Sequence, residues 1–153
     1  MAVQLLQDIY LFKDLLPKEL EQLSALGTVR KFNKDDEIFR EGEEAKSLFV
    51  IRHGTVSIRS AGKDKHPDVA QLGTGAHFGE MSFADGNARS ATAIALERTE
   101  LLDIGFDALN GFFDKNPSTA LKVYRSLARF LAGRLRVTTM DLSFSREKNI
   151  RHF

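Results

Sequence analysis

Seven short apolar segments in the middle of the chain restrict its fold more than any other feature. Turn-forming residues separate them, as at His53-Gly54 and at Gly73 to Gly75. Many short strands at this spacing indicate a sandwich or a barrel. We therefore predict a mainly β fold, a jelly-roll β-barrel (a double-stranded β-helix) of about eight strands. The segments are 29–32, 37–39, 48–51, 55–58, 69–72, 91–95 and 100–104.

Helical patterns flank these segments on both sides. Pro17 suits the first position of a helix, and Leu16, Leu20, Leu23 and Leu26 then fall on one face. After Ile104 the pattern predicts a short helix and then a longer one that starts at Asn116-Pro117 and runs to about Leu142. The predicted single domain, 1–153, has a helical N-terminus (1–28), a β-barrel (29–105), C-terminal helices (106–145) and a tail (146–153).

Composition excludes several classes of protein. The chain of 153 residues has 42% hydrophobic and 28% charged residues, as ordinary globular proteins do. A net charge of +1 argues against a strongly electrostatic nucleic-acid or membrane binder. There is no cysteine, no signal-peptide pattern and no membrane-length apolar run, so we expect a cytoplasmic protein. The residues after Leu142 are too few for a helix-turn-helix, so we expect no DNA-binding domain.

Residues 75–92, GAHFGEMSFADGNARSAT, carry the clearest functional pattern. Gly79 allows close backbone approach, and a helical turn over 80–83 would point its free N–H groups at one anion. Arg89 and Ser90 could supply a charge and a hydroxyl to the same anion, which leaves Glu80 to accept a hydrogen bond from a sugar hydroxyl. Together these groups suggest a nucleotide. On the pattern alone, two solvated surface charges are the simpler alternative.

The stretches Phe78-Gly79-Glu80, Met81-Ser82-Phe83 and Arg89-Ser90-Ala91-Thr92 resemble the phosphate-binding cassette of the cyclic nucleotide-binding domain family. The resemblance implies that Arg89 and Ser90 hold the cyclic phosphate with nearby backbone N–H groups, and that Glu80 accepts the ribose 2′-hydroxyl. It also implies a regulatory receptor for cyclic AMP or cyclic GMP that is not an enzyme. Ser90 favours cyclic AMP. The cassette residues expected to bind the ligand are Phe78, Gly79, Glu80, Met81, Ser82, Arg89, Ser90 and Ala91.

One turn departs from the family pattern. Relatives usually place a glycine before the acidic residue where this chain has Asp35-Asp36-Glu37. Asp tolerates a left-handed backbone better than most residues do. We therefore expect the turn to be retained.

The long C-terminal helix has a narrow apolar stripe, made of Leu121, Tyr124, Ala128, Leu131, Leu135, Thr138 and Leu142. Its 3-4 spacing is typical of a coiled-coil seam, so it indicates either pairing with a second copy or packing on the protein's own barrel. The family's habit of pairing through this helix favours a homodimer. The segment also resembles the part of the family's helix that approaches the base, which places Thr138 and Thr139 there. We expect the helical C-terminus, from Phe106 onward, to close over the barrel when a nucleotide is bound. This movement would signal to an unknown partner protein.

Two other functions are compatible with the same architecture. Cupin enzymes are jelly-roll barrels that bind a metal through clustered His and Glu, but His53, His66, His77 and His152 are too scattered for that pattern. We therefore predict no metal site, although His77 and Glu80 are close in sequence. Glu80 and Arg89 are expected to neutralise each other when the site is empty. A domain that binds no nucleotide and serves only protein interaction is the second alternative.

Overall fold

The computed structural model describes the backbone of residues 2–60 and 68–150 and the side chains of residues 3–60 and 70–137. Eight strands lie in this part of the chain, in agreement with the predicted number of about eight. They are β1 (Gly27–Phe32), β2 (Glu37–Phe39), β3 (Ser47–His53), β4 (Val56–Arg59), β5 (Asp68–Leu72), β6 (His77–Phe78), β7 (Thr92–Ala95) and β8 (Thr99–Gly105).

Helices precede, interrupt and follow the strands. Before the strands come α1 (Ala2–Gln7), a 3-10 helix (Tyr10–Phe12) and α2 (Pro17–Ser24). A short helix, α3 (Glu80–Asp85), follows β6, and α4 (Phe106–Lys115) and α5 (Pro117–Ile150) follow β8. Among the described residues, no helix is both long enough and apolar enough to cross a lipid bilayer.

The strands form two antiparallel sheets of four strands each, ordered β1-β8-β3-β6 and β2-β7-β4-β5. The predicted jelly-roll fold with helices at both ends is confirmed. The strand that the sequence did not predict is β6, which has only two residues. Its residues His77 and Phe78 pair with Val50 and Phe49 of β3 and so attach the glycine-rich segment to the edge of the first sheet.

The first sheet separates two apolar cores. In β3, Leu48 and Val50 pack with the helices, whereas Phe49 and Ile51 pack into the space between the two sheets. Successive side chains of a strand point to opposite faces, so a continuous apolar run supplies both cores. This explains why the segment reads Leu-Phe-Val-Ile instead of alternating with polar residues.

The turn that lacks the family's glycine is retained. Asp35 has φ +73° and is the one non-glycine residue with positive φ in the described backbone. Its N–H donates to the carbonyl of Ala95, and the Asn33 N–H donates to the Asp36 carboxylate. The expectation that Asp would accept the left-handed conformation is confirmed.

The N-terminal helices contain one departure from prediction. Pro17 is the first residue of α2, and Leu20 and Leu23 are buried as expected. Leu16 is 60% exposed and does not share their face. It precedes the helix with extended backbone, and its N–H donates to the Glu19 carboxylate, so it does not follow the helical periodicity.

Helix α5 extends to Ile150, well past the predicted end near Leu142, and no tail separates from it at residue 146. Val123 and Leu127 are buried against the helical core, whereas Leu121 and Leu135 of the predicted seam are more than half exposed. The alternative in which the whole seam packs on the protein's own barrel therefore does not hold for the described residues Leu121 and Leu135. The side chains of Thr138, Thr139 and Leu142, the turn at 61–67 and residues 151–153 lie outside the described part.

Candidate functional site

Gly79 connects β6 to α3 in a conformation that favours glycine. Its φ is +88°, and a Cβ at this position would lie 2.8 Å from Nη1 of Arg89 and 3.2 Å from the Ser47 carbonyl oxygen. The glycine thus meets two requirements at once, the left-handed backbone and the close approach of a guanidinium. The predicted helical turn at 80–83 is present and continues to Asp85.

Arg89 lies just before β7 and is only 5% exposed. Its backbone is fixed because its N–H donates to the Glu43 carbonyl and its carbonyl accepts from the Gly42 N–H. Its side chain donates from Nη1 to the Gly79 carbonyl at 3.2 Å and from Nη2 to the Ser47 carbonyl at 2.6 Å.

Aromatic rings surround the same guanidinium. Its carbon lies 4.0 Å from the centre of the Phe39 ring, with Phe49 and Phe106 farther away. Burial lowers the pKa of Arg89, while nearby carboxylates oppose that shift. Arg89 remains charged at neutral pH because an arginine pKa starts so high. Nε has no hydrogen-bond partner, so a buried cation retains one unused donor.

Glu80, the first residue of α3, is 2% exposed. Its Oε1 lies 3.5 Å from Nδ1 of His77 and 3.6 Å from Nη1 of Arg134, and it has no hydrogen-bond partner. The expected neutralisation of Glu80 by Arg89 occurs only at longer range: the charge of Glu80 raises the pKa of Arg89, but no direct ion pair joins these two described side chains. Arg89 donates to carbonyls, and the cationic side chain nearest to Glu80 comes from α5.

A cavity of about 380 Å³ joins these groups. Eight of the ten residues predicted to bind a ligand line it, namely Phe78, Gly79, Glu80, Met81, Ser82, Arg89, Ser90 and Ala91. The remaining two, Thr138 and Thr139, lie on α5, and their side chains are outside the described part. The cavity volume lies within the range of about 300–1,000 Å³ that is usual for small-molecule sites.

The cavity has further walls that the sequence did not predict. Phe39, Ile58 and Leu72 contribute apolar surface from strands of the second sheet, and His77 contributes from β6. Phe130 and Arg134 close the cavity from α5. A spacing of four along one helix could have placed these two on one face, but nothing local shows which face meets the barrel.

Among the described side chains, no three His, Asp or Glu residues come together as a metal ion would require. His77 and Glu80 are neighbours, but the third charged group beside them is Arg134, a cation. The electrostatics of this cluster therefore suit an anionic or polar organic ligand better than a metal cation.

A family model described as "Cyclic nucleotide-binding domain" matches residues 29–116, which include both sheets except the first two residues of β1, together with the glycine turn, Glu80 and Arg89. The chain belongs to the cyclic nucleotide-binding domain family. The resemblance of the cassette is thus confirmed at the level of the family.

Individual relatives agree with this membership. The chain is 32% identical over 143 residues to the Cyclic AMP receptor protein of Thermus thermophilus, which covers 91% of this chain and 64% of the relative. The crystal structure of the Thermus thermophilus Catabolite Activator Protein superposes with a TM-score of 0.77 at 32% identity, covering 88% of this chain and 62% of that one. A cyclic nucleotide-binding domain from Methylobacillus flagellatus gives 0.77 at 29% identity, covering 88% and 76%.

This domain also occurs within other kinds of protein. Glutaminase 2 of Bradyrhizobium diazoefficiens is 32% identical over 125 residues, which are 82% of this chain but 19% of the relative. The chain spans between 19% and 64% of the length of the first curated relatives that it matches. The shared part is the cyclic nucleotide-binding domain and not the remainder of those proteins.

Proposed function

We propose that this chain is a cyclic nucleotide receptor that binds cyclic AMP in the cavity and signals through the position of α5. One observation carries the proposal. A buried arginine and a buried glutamate, each with an unpartnered polar atom, line the same cavity beside the left-handed Gly79. Buried charged groups seldom keep unused hydrogen-bonding atoms unless a ligand or an ion is to complete them.

The two charges fit different parts of a cyclic nucleotide. The guanidinium of Arg89 would bind the cyclic phosphate with Ser90 and the N–H groups that begin α3, because charge-assisted hydrogen bonds to phosphate are the strong ones. The carboxylate of Glu80 would accept the ribose 2′-hydroxyl. Phe39, Ile58 and Leu72 offer apolar surface to the rest of the ligand.

We propose cyclic AMP as the ligand in preference to cyclic GMP. Ser90, next to the cassette arginine, and the two threonines of α5 suit an adenine more than a guanine. The Thermus thermophilus relative named as a cyclic AMP receptor protein gives the choice further support. In this proposal the domain is a regulatory binder, and its own chain performs no catalysis.

Calorimetric titration of ligand-free protein with cyclic AMP and, separately, with cyclic GMP tests the proposal. We expect micromolar or tighter binding of cyclic AMP. Arg89→Ala should weaken it by about thirty-fold or more, because losing one member of a buried charge pair typically costs about 2–5 kcal/mol. Arg98→Ala, at an exposed arginine in the turn between β7 and β8, is the matched control and should bind normally. Unchanged affinity in Arg89→Ala would contradict the assignment.

The signal in this proposal passes through α5. Phe130 and Arg134 line the cavity together with Glu80, so a bound nucleotide would contact the barrel and the helix at once. A ligand shifts a conformational equilibrium only by its differential affinity for the two states, and this shared contact provides one. Hydrogen exchange over residues 106–145 should slow when cyclic AMP binds, and equal exchange with and without ligand would rule the coupling out.

We propose two protein contacts for α5. We infer a homodimer that pairs through the exposed seam of α5, and a downstream protein that reads its position. The exposed Leu121 and Leu135 support the first inference. We propose no DNA-binding activity for the residues of this chain.

A further inference from the structure

His77 is a buried imidazole in the wall of the cavity. It belongs to β6, is 6% exposed, and its ring centre lies 4.6 Å from that of Phe130 on α5. Its Nδ1 atom has no hydrogen-bond partner. A buried polar atom without a partner typically costs about 1–3 kcal/mol, so its retention beside a binding cavity calls for a reason.

Nδ1 faces a group that is itself incomplete. The Glu80 carboxylate oxygen Oε1 lies 3.5 Å away and also has no hydrogen-bond partner. Arg134 approaches the same oxygen at 3.6 Å from α5. Among the described side chains, the charged groups at this contact are Glu80 on α3, next to His77, and Arg134 on α5, next to Glu80, while the residue paired with His77 on β3 is the apolar Val50.

The contact restricts where the imidazole carries its hydrogen. A bare Nδ1 would place a lone pair against the carboxylate oxygen, which is unfavourable, whereas an N–H there would donate to it. The side chain can donate to Oε1 either as the neutral tautomer with hydrogen on Nδ1 or as the imidazolium. Imidazoles ordinarily gain the second proton between about pH 5 and 8.

We propose that His77 is a positioning residue for Glu80 and that its protonation strengthens nucleotide binding, which rests on the proposed function above. In the occupied site, a small shift that closes the 3.5 Å separation would let Nδ1–H donate to Oε1, and the other carboxylate oxygen would accept the ribose hydroxyl. The imidazolium also adds a positive charge to a cavity that receives an anion. Binding therefore takes up a proton.

The direction in which affinity changes with pH follows from the charges that line the cavity. Arg89 and Arg134 are positive and Glu80 is negative, and the cyclic phosphate brings one further negative charge. The occupied site therefore favours the imidazolium more than the empty site does, because opposite charges attract at low effective dielectric. We therefore expect higher affinity at acidic pH than at alkaline pH.

The experiment is calorimetric titration of the full chain with cyclic AMP between about pH 5.5 and about pH 8. We expect the dissociation constant to be about three- to ten-fold lower at the acidic end. Repeating the titration near pH 6.5 in buffers with different ionisation enthalpies measures proton uptake, which should be a positive fraction of one proton per site.

Three variants separate positioning from a merely structural role. His77→Asn keeps an N–H donor near the Nδ1 position but cannot titrate, so its affinity should match wild type at about pH 8 and show no pH dependence. His77→Phe keeps an aromatic ring without a donor or a charge, so its affinity should not change with pH. It should bind about three- to ten-fold more weakly than wild type at about pH 8, and the difference should be larger at acidic pH. His53→Gln, at an exposed histidine on β3, is the control and should retain the full pH profile.

The outcomes are distinct. Cyclic AMP binding with a constant affinity across this pH range would overturn the role of His77 and leave the receptor function standing. Retention of the wild-type profile in a folded His77→Asn protein would overturn the role of His77 as well. Absence of binding at every pH, in folded ligand-free protein, would overturn both proposals.

Discussion

At the scale of single residues, Gly79 shows how the backbone determines where a charge lies. Its missing Cβ leaves room for the Arg89 guanidinium, 2.8 Å from the position that a Cβ would take. Gly79→Ala must displace that side chain or the Ser47 carbonyl that holds it. We therefore expect cyclic AMP affinity to fall by about ten-fold or more, which corresponds to about 1.4 kcal/mol of binding free energy.

Gly86 provides the matched control for this substitution. It also has positive φ, at +71°, but a Cβ there meets nothing within 4 Å. Each alanine variant should lose about 1–2 kcal/mol of unfolding free energy to the left-handed backbone. Only Gly79→Ala should lose affinity in calorimetric titration. Equal affinities in the two variants would show that the close approach is not needed for binding.

The same scale shows what the sequence could and could not predict about the site. Gly79, Glu80 and Arg89 were predictable because one short segment carries all of them and a single turn brings them together. Arg134 and Phe130 were not, because their place in the cavity depends on how α5 docks against the barrel. The pairing of Glu80 with Arg134 instead of Arg89 follows from that docking.

At the scale of elements, α2 and α5 are joined by one carboxylate. Glu19 accepts from the Leu16 N–H at 2.8 Å, from Lys122 at 2.7 Å and from the Thr119 hydroxyl. Burial by itself would raise the pKa of Glu19, but these hydrogen bonds and the charge of Lys122 bring the pKa below its usual value of 4.5. The ionised form is thus the one that holds the two helices together.

Glu19→Gln should remove about 1–2 kcal/mol of unfolding free energy at neutral pH, because charge-assisted hydrogen bonds become neutral ones. A carboxylate with a lowered folded-state pKa stabilises the fold above its unfolded-state pKa and loses that effect as the pH falls through the folded-state value. Denaturant unfolding of wild type should therefore show a loss below about pH 4.5 that is smaller in the variant. Glu21→Gln, exposed on the same helix, should reproduce the wild-type profile.

Element boundaries show why the rest of the fold was harder to predict. Seven strands were visible as apolar segments between turns, but β6 has two residues and forms only because β3 presents a free edge. The end of α5 was placed near Leu142, whereas the helix continues to Ile150. Glycine turns and apolar runs are local signals, while a two-residue strand depends on its partner.

At the scale of the whole molecule, the exposed stripe on α5 favours a second copy of this chain. Leu121 and Leu135 are 55% and 66% exposed on one side of the helix, while Val123 and Leu127 are buried on another. Tyr124 and Leu131 of the same stripe contact the rest of the chain, whereas Leu121 and Leu135 remain exposed at a spacing that suits pairing of one helix with another. The predicted homodimer would bury this stripe.

Leu135→Glu tests the pairing because a carboxylate in an apolar seam must be desolvated. We expect this change to weaken association by about 2 kcal/mol or more. Light scattering after size exclusion should then change from twice the chain mass of 17.1 kDa towards the monomer value at micromolar concentration. Val137→Glu is the control, because Val137 is 60% exposed but lies about 200° around the helix from Leu135. A wild-type protein that is monomeric at every concentration tested would contradict pairing through this stripe. If both variants were monomeric, the interface would cover a wider surface of α5.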